Sequence, residues 1–187
     1  MYGMNNLFDL TGEIAVVVGG TGMLGGAIAR GLAGAGASVA VVGRNQEHGE
    51  AVVNSITALG GRAEFFSADA TYRKSLHSAH LAIEKALGAP TVLVNAAGGN
   101  DPSVNATPEH PIEAIQLSDW QEHFKLNVGG GILIPSQEFG AAMCKRGKGS
   151  IISLSSLSGH TPLPRMVAYS AAKAVVINVT KYLAREW

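Results

Sequence analysis

The sequence predicts an alternating α/β protein, built as a doubly wound parallel sheet with strand order 3-2-1-4-5 and helices on both faces. Three observations carry that expectation. Short, continuous apolar runs recur along the chain, as strands buried on both faces require. Amphipathic stretches separate these runs, and right-handed helical crossovers are how parallel neighbours are joined. A glycine-rich turn follows the first run and opens the first helix.

Ile14–Val18 (IAVVV) reads as the first strand. A helix follows from about Gly22 to Ala35, with Leu24, Ile28 and Leu32 at i, i+4 and i+8 as its buried stripe. Gly34 and Gly36 punctuate its end. Ser38–Val42 is the second strand. Asn45–Leu59 is a polar helix that buries Val52, Val53, Ile56 and Leu59 and stops at Gly60-Gly61. Ala63–Ser67 is the third strand, and Thr71–Leu87 is a helix turning Leu76, Ile83 and Leu87 inward. Thr91–Val94 is the fourth strand. A polar stretch with three prolines then runs from Gly98 to about Leu117 as a long surface loop. Ser118 reads as an N-cap for a helix passing through Trp120, Phe124 and Val128 towards Lys145. Gly149–Leu154 is the fifth strand, and a last helix runs from about Ala168 to the chain end. All 187 residues form one domain.

Composition narrows the function classes. Hydrophobic residues make up 47% and charged residues 15%, which excludes a disordered chain. Fourteen basic residues balance fourteen acidic ones, so nothing points to nucleic acid or an anionic membrane as partner. No apolar run is long enough to span a bilayer. The start, MYGMNNLFDLTG, lacks the basic-then-apolar pattern of a secretion signal. Cys144 stands alone, which rules out an internal disulfide and fits a reducing compartment; its place in AAMCKR makes it a small packing residue. These features predict a cytoplasmic protein with a small-molecule substrate.

The turn after the first strand is Gly19-Gly20-Thr21-Gly22-Met23-Leu24-Gly25. Gly20, Gly22 and Gly25 satisfy GxGxxG. Glycines there let the backbone approach a pyrophosphate, and the N–H groups of the next helix face the anion. A purely structural tight turn is the alternative. The second strand ends Gly43-Arg44-Asn45, where an NAD site normally carries an acidic residue for the ribose 2′-OH. A guanidinium attracts a 2′-phosphate, so Arg44 favours NADP over NAD, which stays a candidate. Otherwise Arg44 is a solvated residue at a helix entry.

Tyr169 and Lys173 stand at i and i+4 near the start of the last helix, on one face and about a turn apart. An ammonium so placed stabilises a phenolate and suits the pair to general acid–base work on an alcohol or carbonyl. The fifth strand leads to Ser155-Ser156, and Ser156 lies thirteen residues before Tyr169.

Together these motifs resemble the short-chain dehydrogenase/reductase family of Rossmann-type enzymes. YxxxK appears as Tyr169…Lys173 and the family's LVNNAG as Leu93-Val94-Asn95-Ala96-Ala97-Gly98. The helix-borne asparagine matches Asn127, and Asp69-Ala70 matches the acidic motif after the third strand. The resemblance implies that Tyr169 is the acid/base. Lys173 would stabilise the phenolate and hold the nicotinamide ribose. Ser156 would bind the substrate oxygen, and Asn127 a water linking Lys173 to solvent. It further implies that Asp69 contacts adenine, that Asn95 supports the cofactor side of its strand, and that the subunits form dimers or tetramers on the helices carrying Asn127 and Tyr169. Departures are Val18 in place of a threonine, Met23 at the middle glycine of TGxxxGxG, and Ala96 in place of the second asparagine.

Within the family the sequence resembles the D-mannonate oxidoreductase or fructuronate reductase subgroup, through NNLFDLTG, GGTGMLGG, Ala96-Ala97-Gly98-Gly99-Asn100 and Pro135-Ser136-Gln137. A sugar acid is therefore the expected substrate. A gluconate-type 5-keto acid, a 3-ketoacyl thioester, and a non-catalytic nicotinamide-sensing module are the alternatives. Arg165, between Ser156 and Tyr169, either pairs with a substrate carboxylate or faces solvent. His77 and His80, at i and i+3, lack a third ligand for a metal and read as a solvated helix face. His110 and His123 read as surface residues. The resemblance also implies a sixth strand, a substrate loop, another helix and a seventh strand beyond Trp187. The expectation is an incomplete fold, weak cofactor binding and no turnover for these residues alone.

Overall fold

In the computed structural model, which describes residues 7–187, β1 (Ile14–Val18) takes the centre of a five-stranded parallel sheet. The order is β3-β2-β1-β4-β5, with β2 at Ser38–Gly43, β3 at Arg62–Ser67, β4 at Val92–Asn95 and β5 at Ser150–Ser153. Val17 sits opposite Val41 on one side and Val94 on the other. Branched apolar residues on both faces of β1, β2 and β4 explain why these strands lie inside and in parallel. The MYGMNN part of the segment read as carrying no secretion signal lies outside the described residues.

Strand side chains alternate between two cores. Ala15, Val17, Val39, Val41, Val92 and Val94 pack under α1 (Met23–Gly34) and α2 (Gln46–Thr57). Val16, Val18, Ala40, Val42 and Leu93 meet Leu76, Ala79 and Ile83 of α3 (Arg73–Ala86), together with Phe139 and Met143.

The stripe expected on α1 holds for Ile28 and Leu32, which are partly buried against the core, and is corrected at Leu24. Leu24 is 68% exposed, and Gly25, Gly26, Ala29 and Ala33 are the buried residues. A Cβ on Gly25 would stand 2.2 Å from Gly19 O, so the helix lies too close to the turn for a large side chain. Leu59 is likewise exposed, beyond the end of α2.

The helix predicted from Ser118 towards Lys145 begins two residues earlier, as α4 (Leu117–Phe124), with Gln116 rather than Ser118 at its N-cap. It continues in helical conformation through wider i→i+5 turns at Lys125–Leu133 and Ser136–Gly140 and ends as α5 (Ala141–Arg146). Pro135, which has no N–H to give, stands between the two wide segments. Glycines bring this helix close to the sheet ends: a Cβ on Gly130 would meet Ala70 at 3.1 Å, and one on Gly131 would meet Ala97 O at 3.0 Å. The last helix, α6, is Val167–Glu186.

The solvated face expected at His77 and His80 holds at His77, which is exposed, and is corrected at His80. His80 is buried, packs against Phe139 with its ring tilted by 51°, and shares Glu138 with His77 through contacts of 2.8 and 2.9 Å. Cys144, expected to pack, is exposed. No helix among the described residues is long and apolar enough to cross a membrane.

Candidate functional site

The carboxyl ends of β1, β2, β3 and β4 open onto a cleft of about 240 Å³, at the point where the strand order reverses. Gly19, Thr21, Gly22, Arg44, Asp69, Ala70, Ala96, Ala97 and Gly98 line it together, joined by Val18, which the sequence marked only as a departure, and by Ala68 and Leu126, which it did not single out. Gly19 has φ +88°, and a Cβ there would stand 2.5 Å from Ala97 N. This turn therefore needs glycine both for its conformation and for the strand passing beside it. Gly22 is the N-cap of α1 and offers no side-chain cap, so the first N–H groups of the helix remain for an anion. Gly20 and Gly25 shape the turn from behind. The side chains of Met23 and Leu24 project to solvent, which leaves only their backbone for a ligand.

A Cβ at Gly43 would lie 2.5 Å from Thr21 Oγ1. An acidic side chain at the strand end thus conflicts with Thr21 where it stands, and the exposed Arg44 becomes the charged group nearest that corner. Asn45 is occupied as the α2 N-cap, its Oδ1 accepting from His48 N at 2.9 Å. Asp69 accepts from Thr71 N and Thr71 Oγ1, both at 2.8 Å. Burial works to raise its pKa, but those bonds and the charges of Arg44 and Lys125 hold it below the ordinary 3.8. Asn95 is buried beneath the cleft, where its Nδ2 donates to Ser136 Oγ at 3.2 Å and Ser153 Oγ at 3.1 Å. It ties β4 to β5 and to the long helix. The glycine approach, the open helix terminus and Arg44 fit a phosphate-bearing dinucleotide.

Next to this cleft, α6 presents Tyr169 and Lys173. The ammonium is 5.5 Å from the tyrosine ring centroid and donates to Leu154 O, just past β5, at 2.9 Å. Burial lowers the Lys173 pKa from its ordinary 10.5. Ser156 caps the short turn Leu157–Gly159, its Oγ accepting from Ser158 N at 3.2 Å. An accepting hydroxyl keeps its O–H for a further partner. Ser155 points elsewhere, donating to Lys173 O at 2.8 Å and locking the serine turn onto α6. Asn127 reaches the same place from the long helix: a Cβ on Gly98 would lie 2.7 Å from Asn127 Oδ1 and 3.4 Å from Lys173 Nζ.

Sequence reasoning missed His123, which is a correction rather than a surface residue. It is buried, edge-on to Tyr169 at 6.3 Å, with Nε2 3.2 Å from Asn127 Nδ2. Its position four residues before Asn127 was the available signal, since both then share a helix face. Arg165 is exposed and has φ +69°, the one described non-glycine residue with positive φ.

The family model described as short chain dehydrogenase matches residues 13–187. An uncharacterized oxidoreductase, UxuB, of Bacillus subtilis (strain 168) is 40% identical over 183 residues, covering 94% of this chain and 66% of its own. A protein from Haemophilus influenzae, provisionally assigned as a D-mannonate oxidoreductase and solved with bound NAD, superposes with TM-score 0.89 at 29% identity, over 95% of this chain and 67% of that one. A gluconate 5-dehydrogenase from Burkholderia cenocepacia, solved with NADP and tartrate, gives TM-score 0.85 at 29% identity, over 96% of this chain and 68% of that one. The chain thus spans about two thirds of the length of the relatives it matches.

Proposed function

The chain belongs to the short-chain dehydrogenase family, and from that we propose that it is part of an NAD(P)-dependent oxidoreductase acting on a carbonyl or secondary alcohol of a sugar acid, D-mannonate or its keto partner above all. The carrying observation is the buried Lys173 ammonium 5.5 Å from the Tyr169 ring, beside the glycine-lined cleft. The nicotinamide, when bound, supplies or accepts the hydride.

In the reducing direction Tyr169 gives its phenolic proton to the carbonyl oxygen and is left as a phenolate. Lys173 stabilises that phenolate through its charge, at short range and with little water to screen it. Ser156 donates its O–H to the substrate oxygen and orients it. Oxidation runs the same proton back to Tyr169. Gly19, Gly22 and the α1 N-terminus hold the pyrophosphate, Asp69 meets the adenine, and Arg44 takes the 2′-phosphate, which favours NADP.

Sugar-acid specificity draws support from the likeness to the mannonate-assigned and gluconate proteins. Asn100 and the polar loop after it suit a polyhydroxylated ligand, and Arg165 suits a carboxylate. We place the protein in the cytoplasm as a homo-oligomer packed on the helices carrying Asn127 and Tyr169. A turnover panel of mannonate, gluconate and simple sugar alcohols with both cofactors, run on the protein extended to the length of its relatives, tests this. Turnover confined to sugar alcohols removes the sugar-acid assignment, and binding of cofactor with no turnover of any substrate favours a sensing module.

A further inference from the structure

His123 is 4% exposed, an unusual depth for a histidine on a polar helix. Gly99 N–H donates to Asn127 Oδ1 at 3.0 Å, which fixes the orientation of that amide. Its Nδ2 then faces Gly99 O at 2.9 Å, His123 O at 3.1 Å and His123 Nε2 at 3.2 Å. An amide NH₂ only donates. The two amide hydrogens are shared among these three acceptors, and the ring meets them with an unprotonated Nε2 and its proton on Nδ1.

We propose that His123 is a positioning residue, whose neutral ring holds the Asn127 amide and through it the Gly98–Gly99 backbone against Lys173, and whose protonation releases that hold. Its catalytic half rests on the oxidoreductase reading above. A protonated Nε2–H would point at another donor and stay buried without an acceptor, while the amide would keep only Gly99 O and His123 O. It would also set a second cation against the ammonium. The groups facing the ring are Tyr169 and Lys173 of α6 and Asp101 of the loop after β4. Asp119 and Glu122 of its own helix border with it a cavity of about 190 Å³. Burial lowers the ring pKa, Asp101 raises it and Lys173 lowers it, for a net value below the ordinary 6.5. The neutral form therefore prevails near neutrality, and the switch lies on the acid side.

The test compares pH profiles of kcat and KM for the wild type, H123L and H123Q, each extended to the length of the relatives, with NMR titration of the His123 ring and the Asn127 side-chain amide. H123L should lose about 10- to 100-fold in kcat on the plateau, as expected for slight misplacement of catalytic groups, with a smaller change in KM for cofactor. H123Q, whose Oε1 accepts from Asn127, should recover most of that loss. Both variants should lack the wild-type acid limb below pH 6.5. An H123L enzyme with wild-type kcat and an unchanged acid limb overturns the proposal, as does H123Q no better than H123L, which marks a packing role only. If the wild type turns over no substrate, the oxidoreductase reading fails and the NMR decides alone. Asn127 amide signals that follow the His123 titration then support the coupling, and signals indifferent to it refute it.

Discussion

Gly19→Ala isolates the phosphate turn in one methyl group. At φ +88° an L-residue with a Cβ is strained by about 1–2 kcal/mol. The new Cβ would also start 2.5 Å from Ala97 N, 2.6 Å from Ala96 C and 2.8 Å from Ala96 O. These are backbone atoms of the chain leaving β4, so no side chain can swing away. Ordinary contact at about 3.5 Å requires β4 and the turn to part by nearly another ångström. Overpacking of that kind adds about 1–3 kcal/mol. The sum, about 2–5 kcal/mol, lowers Tm by roughly 5–15 °C for a domain of this size. Cofactor affinity should fall with it, because the same displacement widens the cleft. Gly31→Ala is the control: nothing lies within 4 Å of its Cβ, and it sits inside α1. The identical change there should stabilise by about 0.5–1 kcal/mol. Thermal melts followed by circular dichroism, with cofactor titration by fluorescence, read both. A Gly19→Ala protein that melts within a degree of the wild type would refute the steric reasoning.

Three further outcomes are expected. Arg44→Ala should cut the preference for NADP over NAD by about tenfold, the low end for a charge-assisted contact because Arg44 is exposed, as read from the two dissociation constants; a wild type that prefers NAD removes the assignment. Glu138→Gln should destabilise the fold by about 1 kcal/mol in urea titrations, since it weakens a part-buried acceptor shared by His77 and His80. Burial raises the Glu138 pKa, but the hydrogen bonds from His80 and His77 outweigh it, for a net value below 4.5. Its contribution is therefore full above pH 4.5 and lost as the pH falls through the lower folded value, so urea midpoints of the wild type should drop there and those of the variant should not follow.

The strands were legible because IAVVV, SVAVV and TVLV are apolar runs too short for helices, and the first two lead into amphipathic stretches. The YxxxK spacing placed Tyr169 and Lys173 on one helix face before any coordinate did. The buried face of α1 was not legible from hydrophobicity, because close approach to the turn selects glycine and alanine and pushes Leu24 outward. His80 and His123 were misread for a related reason. A histidine on a charged helix looks solvated until its partners, Glu138 and Asn127, arrive from 58 residues away in one case and from the next turn in the other. The Thr21–Gly43 approach is equally invisible in sequence, since it joins the turn after β1 to the end of β2, whose separation only the sheet register sets.

The central claim is that Tyr169 moves the proton while the cleft holds the cofactor independently of it. Tyr169→Phe removes one oxygen and keeps the ring that His123 and Lys173 pack against. Steady-state turnover of the best substrate from the sugar-acid panel, measured beside the cofactor dissociation constant, separates the two roles. The account predicts a fall in kcat of about 10²–10⁴ with the dissociation constant almost unchanged. Wild-type turnover by Tyr169→Phe would contradict it.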